Sequence, residues 1–287
     1  MKGIILAGGS GSRLFPLTEY QSKHLLPVFD KPLIYYPLSA LMLAGIKDYL
    51  IISRQSDLES YSSILRKLEY LGLRFSFEVQ DNPNGIAESL ILSEKFLQGS
   101  DCVLILGDNI FFGNNFSSIL KNAINDNFGC TIFSYEVSDP NRFGVLELKD
   151  DKVIDIIEKP VNPPSNQAVT GIYIYKNIAV EYAKTLTPSK RGELEITDLN
   201  KIFLNKDNLS YKFLGRGISW LDAGTPDSLL EASNLIRIIQ KYQTNLICSP
   251  EEIALRNGWV SRDKVLEQVT NKPSIYFQRL LKIANND

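Results

Sequence analysis

The sequence predicts an α/β protein with a Rossmann-like, mostly parallel sheet and helices on both faces. Three observations carry this prediction. The first half of the 287-residue chain alternates short apolar runs with helix-like stretches, the apolar runs are continuous, and the first of them leads into a glycine-rich turn. Continuous apolar strands are typical of parallel sheets, which are buried on both faces. In such sheets ligands bind beyond the carboxyl ends of the strands.

The elements of the first half follow one another in regular order. The predicted strands are residues 3–7, 49–53, 75–80, 103–107 and 130–137. The predicted helices between them are residues 34–44, 58–71, 85–97 and 116–124. Strands separated by helices of this length are typical of βαβ units, whose strands run parallel.

The second half has a different pattern, in which polar and apolar residues alternate more often. The predicted strands are residues 144–148, 153–157, 169–175 and 209–214. Alternation favours strands with one exposed face, so we expect a small antiparallel β layer here. The chain then becomes helical, and the predicted C-terminal helices are residues 229–242, 251–257, 262–268 and 275–284.

The charge balance limits the kinds of partner. The chain carries 31 Lys and Arg against 33 Asp and Glu, a net charge of −2. A sequence-independent nucleic-acid binder is usually strongly basic, and a polybasic membrane patch is equally missing from the sequence. The longest apolar-rich stretch, residues 33–46, is too short to span a bilayer. We therefore expect no nucleic-acid or membrane partner, and any anionic ligand must be met by a few placed cations.

Cysteine and histidine usage excludes further classes of site. The three cysteines, Cys102, Cys130 and Cys248, are scattered and form no C-x-x-C pair. This pattern argues against a disulfide framework or a zinc site and favours a reducing, cytoplasmic location. The single histidine, His24, cannot build a multi-histidine metal site.

The glycine-rich turn after the first strand is the first candidate binding site. Residues 8–14 read GGSGSRL. Glycines allow a ligand close to the backbone, and their amide groups suit phosphate oxygens. Leu14 stands where a dinucleotide fingerprint needs its third glycine, and the P-loop pattern is missing. Arg13 and Lys23 follow the turn and could bind phosphate. A tight strand-to-helix connection with two solvated cations remains the alternative interpretation.

Acidic residues follow two apolar stretches. Asp108 comes directly after the predicted strand 103–107, and Asp222 precedes a glycine after another apolar run. Two carboxylates together with substrate phosphates are the ligands that Mg²⁺ prefers. Helix capping or local turns are the alternative for each. Glu158 and Lys159 end another strand, where they could form a surface ion pair or meet a sugar hydroxyl and a phosphate.

Nine blocks together resemble the sugar-phosphate nucleotidylyltransferases over nearly the whole chain. They are GIILAGGSGSRL (3–14), SKHLLP (22–27), KPLIYYPLS (31–39), LGDNIF (106–111), RFGV (142–145), EKP (158–160), AVTGIY (168–173), RGELEITD (191–198) and WLDAGT (220–225). The resemblance is greatest to the members that join dTTP to glucose 1-phosphate, giving dTDP-glucose and pyrophosphate for dTDP-rhamnose, other deoxysugars and surface polysaccharide. It implies a Mg²⁺ cofactor and a homotetramer.

The resemblance also implies residue roles. Catalytic cations would be Arg13, Lys23 and Lys159. The nucleotide site would comprise Gly8, Gly9, Gly11, Ser12, Arg13, Lys23, His24, Gln80 and Gly85, the last two reading the base. The sugar-phosphate site would comprise Asp108, Gly144, Glu158, Lys159, Val169, Thr170 and Tyr173. Asp108 and Asp222 would hold the metal. A regulatory nucleotide site near subunit contacts would involve Arg216, Gly217, Glu252, Ile253 and Arg256.

The implied domain organisation follows the same blocks. A catalytic domain would cover residues 1–240, with a nucleotide-binding part of about 1–137 and a sugar-binding part of about 138–225. Residues 241–287 would form a C-terminal helical extension with an interface or regulatory role.

Three departures from the family pattern leave specificity open. His24 and Glu88 stand where glutamine is common, and Phe143 stands where tyrosine is usual. These positions border the predicted base and sugar pockets, so a uridylyltransferase or another sugar-1-phosphate nucleotidylyltransferase remains possible. A non-catalytic sugar-nucleotide sensor is disfavoured because the cationic and acidic residues are all present. A dinucleotide-dependent oxidoreductase is disfavoured by the missing third glycine.

Overall fold

The computed structural model describes residues 1–9, 11–82, 84–243 and 245–286, so Ser10 of the glycine-rich turn lies outside the described residues. The strands are β1 (Lys2–Leu6), β2 (Pro27–Val28), β3 (Lys31–Pro32), β4 (Asp48–Ser53), β5 (Arg74–Val79), β6 (Cys102–Leu106), β7 (Asn109–Gly113), β8 (Cys130–Glu136), β9 (Gly144–Lys149), β10 (Lys152–Glu158), β11 (Gln167–Tyr175), β12 (Leu209–Phe213) and β13 (Ile218–Asp222). The α-helices are α1 (Tyr35–Leu43), α2 (Leu58–Leu65), α3 (Glu88–Leu92), α4 (Glu94–Leu97), α5 (Phe116–Asp126), α6 (Ala179–Lys184), α7 (Ile196–Asn205), α8 (Pro226–Tyr242), α9 (Pro250–Arg256), α10 (Arg262–Val269) and α11 (Ile275–Asn286).

Four parallel strands form one side of the main sheet, in the order β5-β4-β1-β6, with β5 at the edge. Neighbouring residues of β1 pack on opposite faces: Ile4 and Ile5 are both fully buried, but they belong to different hydrophobic clusters. Burial on both faces explains why these strands are continuous apolar runs. The predicted α/β class and its mostly parallel sheet are confirmed.

The strand order reverses at β1, because β4 and β5 lie on one side of it and β6 on the other. Leu6 and Leu106, which end these two strands, are register partners. The N–H of Gly107 then donates to the carbonyl of Leu6 at 2.9 Å. The glycine-rich turn and Asp108 therefore leave the sheet side by side, at the place where open α/β sheets bind ligands.

The antiparallel strands of the second half extend the same sheet. Strand β11 pairs antiparallel with β6, β8 and β9, and β9 forms a hairpin with β10. Strands β7 and β13 form a separate two-stranded antiparallel sheet. Because β11 lies next to β6, residues at the end of β10 and along β11 are carried close to Asp108.

Some elements differ from the sequence-based expectations. The helix expected over 58–71 changes to a 3-10 helix at Arg66–Leu71. The helix expected over 85–97 is two short helices separated at Ser93, whose hydroxyl donates to the carbonyl of Leu90 at 2.8 Å. Such local bonds compete with the helical pattern. The short strands β2, β3, β7 and β13 and the helices α6 and α7 were not expected, because their apolar stretches are brief.

The C-terminal helices begin at well-defined caps. Thr225 accepts from the N–H of Ser228 in a capping box at the start of α8, and Ser249 accepts from the N–H of Glu252 in α9. Helix α9 packs against α1, and α10 and α11 pack on one another. Among the described residues, no helix combines the length and apolarity that crossing a membrane requires.

Candidate active site

The glycine-rich turn brings the base-reading and phosphate-binding candidates together. A Cβ atom added to Gly8 would lie 3.3 Å from Oε1 of Gln80, and one added to Gly9 would lie 3.9 Å from Nζ of Lys23. Gly11 adopts a left-handed conformation, φ 64°, which glycine tolerates without strain. The turn thus leaves room between two polar side chains, which is what a nucleotide lying on the backbone needs.

Lys23 and Asp108 form a buried ion pair at the place beyond β1 and β6 where the strand order reverses. The Lys23 ammonium donates to Oδ2 of Asp108, and Nδ2 of Asn109 donates to Oδ1 at 3.0 Å. Burial is the largest single effect on Asp108 and would raise its pKa, but the Lys23 charge and the hydrogen bonds from Lys23 and Asn109 together outweigh burial and lower that pKa to about 2. Asp108 is therefore ionised throughout the ordinary pH range.

Asp222 lies beside Asp108 because β13 pairs with β7. The register partner of Asp222 is Asn109, and the N–H of Ala223 donates to the Asp108 carbonyl at 3.0 Å. Burial and the Asp108 charge raise the pKa of Asp222, against the opposing effect of nearby cations. Nη2 of Arg142 lies 3.7 Å from Oδ2 of Asp222. Two carboxylates are thus held close together, which costs electrostatic energy in the absence of a cation between them.

Arg13 faces Asp222 from the 3-10 helix Ser12–Leu14. A Cβ atom added to Gly224 would lie 2.9 Å from Nη2 of Arg13 and 3.3 Å from Oδ1 of Asp222. A side chain at residue 224 would therefore displace the guanidinium. Arg13 also lowers the pKa of Asp222 through its charge. The predicted catalytic cation and the predicted metal ligand lie in the same place.

A cavity of about 490 Å³ joins these groups to the predicted sugar site. Its lining includes Arg13, Asp108, Gly144, Glu158, Lys159, Val169, Tyr173 and Asp222, all of which are sequence-based candidates. It also includes Ile86, Leu106, Asn109, Arg142, Phe143, Gly171, Ile196, Thr197 and Trp220. The remaining sugar-site candidate, Thr170, is buried in β11, and its hydroxyl has no hydrogen-bond partner among the described residues.

Glu158 and Lys159 are fixed at the end of β10. Oε2 of Glu158 accepts from the Thr197 hydroxyl at 2.5 Å, and Oε1 lies 3.4 Å from Nη2 of Arg191. Lys159 has a φ of 45°, which L residues rarely adopt, and its N–H donates to the Phe143 carbonyl at 2.9 Å. Strain of this kind is often stored at functional sites. The Lys159 side chain stays about half exposed, so it is accessible to a ligand.

His24 lies behind the glycine-rich turn, and the cavity lining does not include it. Its Nδ1 is 2.9 Å from the Tyr61 hydroxyl and 3.2 Å from the Ser22 hydroxyl. The Tyr61 hydroxyl also lies 3.2 Å from the carbonyl of Ala7, which directly follows β1. Burial, helped by the charge of Lys23, lowers the pKa of His24 to about 3, so the imidazole is neutral. This residue supports the turn from within the core.

The candidates for base recognition and regulation lie farther from the carboxylates. Nε2 of Gln80 donates to the carbonyl of Gly85 at 3.2 Å, which places the two base candidates in contact. Of the regulatory candidates, Nε of Arg256 donates to Oε1 of Glu252 at 2.9 Å within α9. The carbonyl of Gly217 accepts from the N–H of Asn114 at 3.1 Å. Arg216 precedes Gly217, and Ile253 is buried in α9. The regulatory role stays a prediction.

Sequence reasoning assigned no role to several residues that organise the cavity. Oδ1 of Asn109 accepts from Nε1 of Trp220 at 2.6 Å and from the N–H of Gly171 at 3.1 Å, which ties β7, β13 and β11 together. Arg142 and Thr197 contact Asp222 and Glu158 directly. Four of these five residues, all but Gly171, carry polar side-chain atoms, and all five lie inside the blocks that resemble the family. That position is the signal that could have identified them.

The metal candidates fit a cation that is shared with a substrate. No group of three or more His, Cys, Asp and Glu side chains that could hold a metal ion occurs in the part of the chain that the structure describes. Asp108 and Asp222 offer carboxylate oxygens only, the hard ligands that Mg²⁺ prefers together with phosphate and water. Burial raises the pKa of Asp222 most and the Asp108 charge raises it further, and a divalent cation would relieve this repulsion between the two carboxylates.

Comparison with known proteins decides the family. Residues 2–238 match the model of the nucleotidyl transferase family. The chain belongs to this family. It is 49% identical to the glucose-1-phosphate thymidylyltransferase of Neisseria meningitidis, over 98% of this chain and all of the relative. It is 42% identical to that of Mycobacterium tuberculosis, over 93% of each chain.

Solved structures agree with this assignment. A Bacillus anthracis protein in complex with a sucrose is 43% identical and has a TM-score of 0.76, over 83% of this chain and 95% of that one. A UDP-glucose pyrophosphorylase complexed with UDP-glucose is 25% identical, with a TM-score of 0.74, over 84% of this chain and 98% of that one. The predicted family and the prediction that the chain is a nucleotidyltransferase enzyme are confirmed.

Proposed function

We propose that the enzyme transfers a thymidylyl group from dTTP to glucose 1-phosphate, forming dTDP-glucose and pyrophosphate. One observation carries the proposal: a single cavity joins Arg13 on the nucleotide side to Glu158 and Lys159 on the sugar side, with Asp108 and Asp222 between them. The relatives named above, at 42–49% identity, support the choice of dTTP and glucose 1-phosphate.

The chemistry requires little more than bringing two anions together. A phosphate oxygen of the sugar phosphate attacks the α-phosphorus of the triphosphate, and the bond to pyrophosphate breaks. The attacking oxygen is already ionised, so no protein base is needed, in keeping with a single, buried and neutral histidine. Two unit charges 4 Å apart repel by about 1 kcal/mol in water and about 4 kcal/mol at an effective dielectric of about 20. Arg13, Lys23 and Lys159 offset this repulsion and orient the reacting groups.

The residues present fit Mg²⁺ as cofactor. We propose that Asp108 and Asp222 would hold it together with phosphate oxygens, for the reasons of ligand chemistry and repulsion given above. When bound, Mg²⁺ supplies positive charge to the phosphates and to the pyrophosphate that leaves. Lys23 pairs with Asp108 in this structure. With Mg²⁺ held by Asp108, the Lys23 ammonium would be close enough to bind a phosphate oxygen instead of the Asp108 carboxylate.

The other residues divide between the two substrates. The backbone of Gly8, Gly9, Gly11 and Ser12 would bind the triphosphate, while Gln80 and Gly85 would read the base. Gly144, Val169, Thr170 and Tyr173, which lie along or beside the cavity wall of β9 and β11, would position the glucose ring. His24 supports the nucleotide turn through the Tyr61 and Ser22 hydroxyls rather than through a contact in the cavity.

A substrate panel tests the proposal. The purified enzyme is given dTTP, UTP, dCTP, ATP or GTP with glucose 1-phosphate, galactose 1-phosphate or mannose 1-phosphate, and pyrophosphate release is measured with and without Mg²⁺. We expect the dTTP and glucose 1-phosphate pair to give the highest kcat/KM and EDTA to abolish turnover.

Uridylyl transfer is the second candidate, favoured by the TM-score of 0.74 to a UDP-glucose pyrophosphorylase. Release of pyrophosphate from no pair would contradict enzymatic transfer and favour a sensor.

The assembly and its regulation are proposed from the same family. We propose a cytoplasmic homotetramer, with a second nucleotide site that includes Arg216, Gly217, Glu252, Ile253 and Arg256. Light scattering should give a mass of about four times 32.3 kDa. A monomer at assay concentration would contradict the tetramer.

A further inference from the structure

We propose that Glu88 fixes the side-chain amide of Gln80 so that its carbonyl oxygen faces the base. The enzyme would thereby select triphosphates whose base carries an N3–H, thymine or uracil, against cytosine. The inference rests on the proposed function, because it assigns a specificity role within the same nucleotide site. It concerns a residue at which this chain departs from the family pattern.

Gln80 uses both hydrogens of its amide within the protein. The side chain is buried directly after β5, where Nε2 donates to Oε2 of Glu88 at 2.6 Å and to the carbonyl of Gly85 at 3.2 Å. Oε1 lies on the other side, where a Cβ atom added to Gly8 would be 3.3 Å away. The group that Gln80 presents toward the glycine-rich turn is therefore an acceptor.

The chemistry of the partners permits one orientation of this amide. The two ends of a glutamine amide have nearly the same shape, so its hydrogen-bond partners decide which end points where. A carboxylate and a backbone carbonyl can only accept. A rotated amide would place Oε1 2.6 Å from a Glu88 oxygen and 3.2 Å from the Gly85 oxygen, with no hydrogen between them. A glutamine at residue 88 could accept or donate, so only the Gly85 carbonyl would still oppose the rotated orientation.

Glu88 is itself held in place. Its second oxygen, Oε1, accepts from Nδ2 of Asn84 at 2.8 Å. The Asn84 carbonyl accepts from the N–H of Leu194 at 2.6 Å, and a Cβ atom on Gly85 would lie 2.3 Å from the Leu194 carbonyl oxygen. The loop that carries Asn84 and Gly85 is thus packed against another segment, so the Glu88 carboxylate has a fixed partner on each oxygen.

An acceptor with a fixed orientation discriminates between pyrimidines. Thymine and uracil have an N3–H that can donate to Oε1 of Gln80, whereas N3 of cytosine carries a lone pair. Two acceptors facing one another leave both unpaired, and such a mismatch is the kind of difference by which polar sites reject analogues. Glu88 acts through Gln80, so it is a positioning residue for base selection.

The test compares dTTP with dCTP in Glu88→Gln. Equilibrium binding of each triphosphate is measured by calorimetry, and kcat/KM is measured with glucose 1-phosphate. We expect the ratio of dTTP to dCTP affinity to fall by about tenfold, equivalent to about 1.4 kcal/mol, with an unchanged melting temperature. Asn84→Ala, which frees one oxygen of Glu88, should lower the same ratio by about threefold.

Glu94→Gln is the matched control, because this exposed carboxylate on α4 pairs with Lys184 on the surface. It should leave the ratio unchanged. A wild-type enzyme that binds dCTP as well as dTTP would overturn the inference. So would a Glu88→Gln variant in which both affinities fall in parallel, which is what a structural role predicts.

The binding measurement separates this inference from the proposed function. A lower dTTP to dCTP affinity ratio in Glu88→Gln supports the role of Glu88 even if the substrate panel reveals another sugar phosphate. An unchanged ratio refutes that role even if dTDP-glucose is formed.

Discussion

Two buried lysine–aspartate pairs resemble one another in burial but differ in their surroundings. The site pair, Lys23 and Asp108, has side chains that are 10% and 14% exposed, and the hairpin pair, Lys31 and Asp30, has side chains that are 1% and 10% exposed. In the hairpin pair, Oδ2 of Asp30 also accepts from Nε2 of Gln240 at 2.7 Å. Both oxygens of this carboxylate therefore have protein donors, as do both oxygens of Asp108, so the difference lies in what surrounds each pair.

The site pair has a second carboxylate, Asp222, beside it, and Arg13 and Arg142 lie close to that second carboxylate. Asp222 lies close enough to Asp108 for burial and the Asp108 charge to raise its pKa. Burial and ion pairing are common to both pairs and so do not distinguish them. The feature that favours a functional role for the site pair is the second carboxylate held next to Asp108 beside a cavity.

The largest expected effect is on the turnover of Asp108→Asn. We expect kcat/KM to fall by about a thousandfold or more, because a metal ligand and the orientation of Lys23 are lost together. Stability should change by less than about 1 kcal/mol, since the lost ion pair is offset by relief of the repulsion on Asp222. Pyrophosphate release and urea unfolding measure the two effects.

Asn at residue 108 keeps the shape and one acceptor, so it separates charge from packing. A folded variant with near-normal turnover would contradict the role of Asp108. A loss of several kcal/mol of stability would instead show that the site pair is structural, like the hairpin pair.

For Asp30→Asn we expect the opposite of Asp108→Asn, a loss of stability with little change in turnover. The new amide would direct its NH₂ at either the Lys31 ammonium or the Gln240 amide, which both need an acceptor. Breaking a buried pair in this way costs about 3 kcal/mol. The Lys31 ammonium would keep weaker interactions with the Tyr36 hydroxyl at 3.4 Å, the Tyr36 ring at 4.9 Å and the charge of the buried Glu251. Urea unfolding should show the loss, while kcat/KM at a temperature where the variant is folded should stay within about twofold of the wild type. If the urea midpoint of Asp30→Asn equalled that of the wild type, the hairpin pair would contribute no net stability.

His24 extends the comparison to the residue next to the site pair. Its pKa is about 3 in the folded chain against 6.5 ordinarily, so the unfolded chain binds a proton first as the pH falls. The stability that neutral His24 contributes is therefore present above pH 6.5 and is lost toward pH 3. Between pH 7 and pH 5 we expect a loss of about 2 kcal/mol that His24→Gln does not show. Urea unfolding at both pH values measures this difference, and parallel curves for wild type and variant would contradict it.

The core of the fold was predictable because burial on two faces leaves a clear pattern. Strands β1, β4 and β6 are runs of apolar residues, so their sequence alone identifies them. The strands β7 and β13 are as long as β1 and β6 but were not predicted, because their pairing joins distant segments of the chain. Such strands acquire their structure from a partner that periodicity does not reveal.

The candidate site residues could be predicted where charged residues or glycines directly follow a strand. Asp108 and the glycine-rich turn follow strands directly, and the resemblance to a family supplied the remaining candidates. Thr197 and Arg191 were left without a role because their contacts with Glu158 depend on how α7 and the loop before it pack on β10. That Glu88 and Gln80 share a hydrogen bond likewise depends on the loop conformation between them.

The smallest effect concerns Lys159, a cation that is 48% exposed and so unlike either buried lysine. An exposed charge contributes little to folding, but it can still bind a phosphate. We expect Lys159→Ala to lower kcat/KM for glucose 1-phosphate by about tenfold, with the KM for dTTP and the melting temperature unchanged. Lys152→Ala, which removes an exposed cation at the other end of β10, should leave both substrates unaffected. If the KM for dTTP rose as much as that for glucose 1-phosphate, Lys159 would act on the reaction as a whole and not on the sugar phosphate. An effect on both substrates would show that an exposed cation such as Lys159 can act on dTTP as well as on glucose 1-phosphate. An effect on glucose 1-phosphate alone would favour the view that a cation acts on both substrates only when it is buried next to two carboxylates, as Lys23 is.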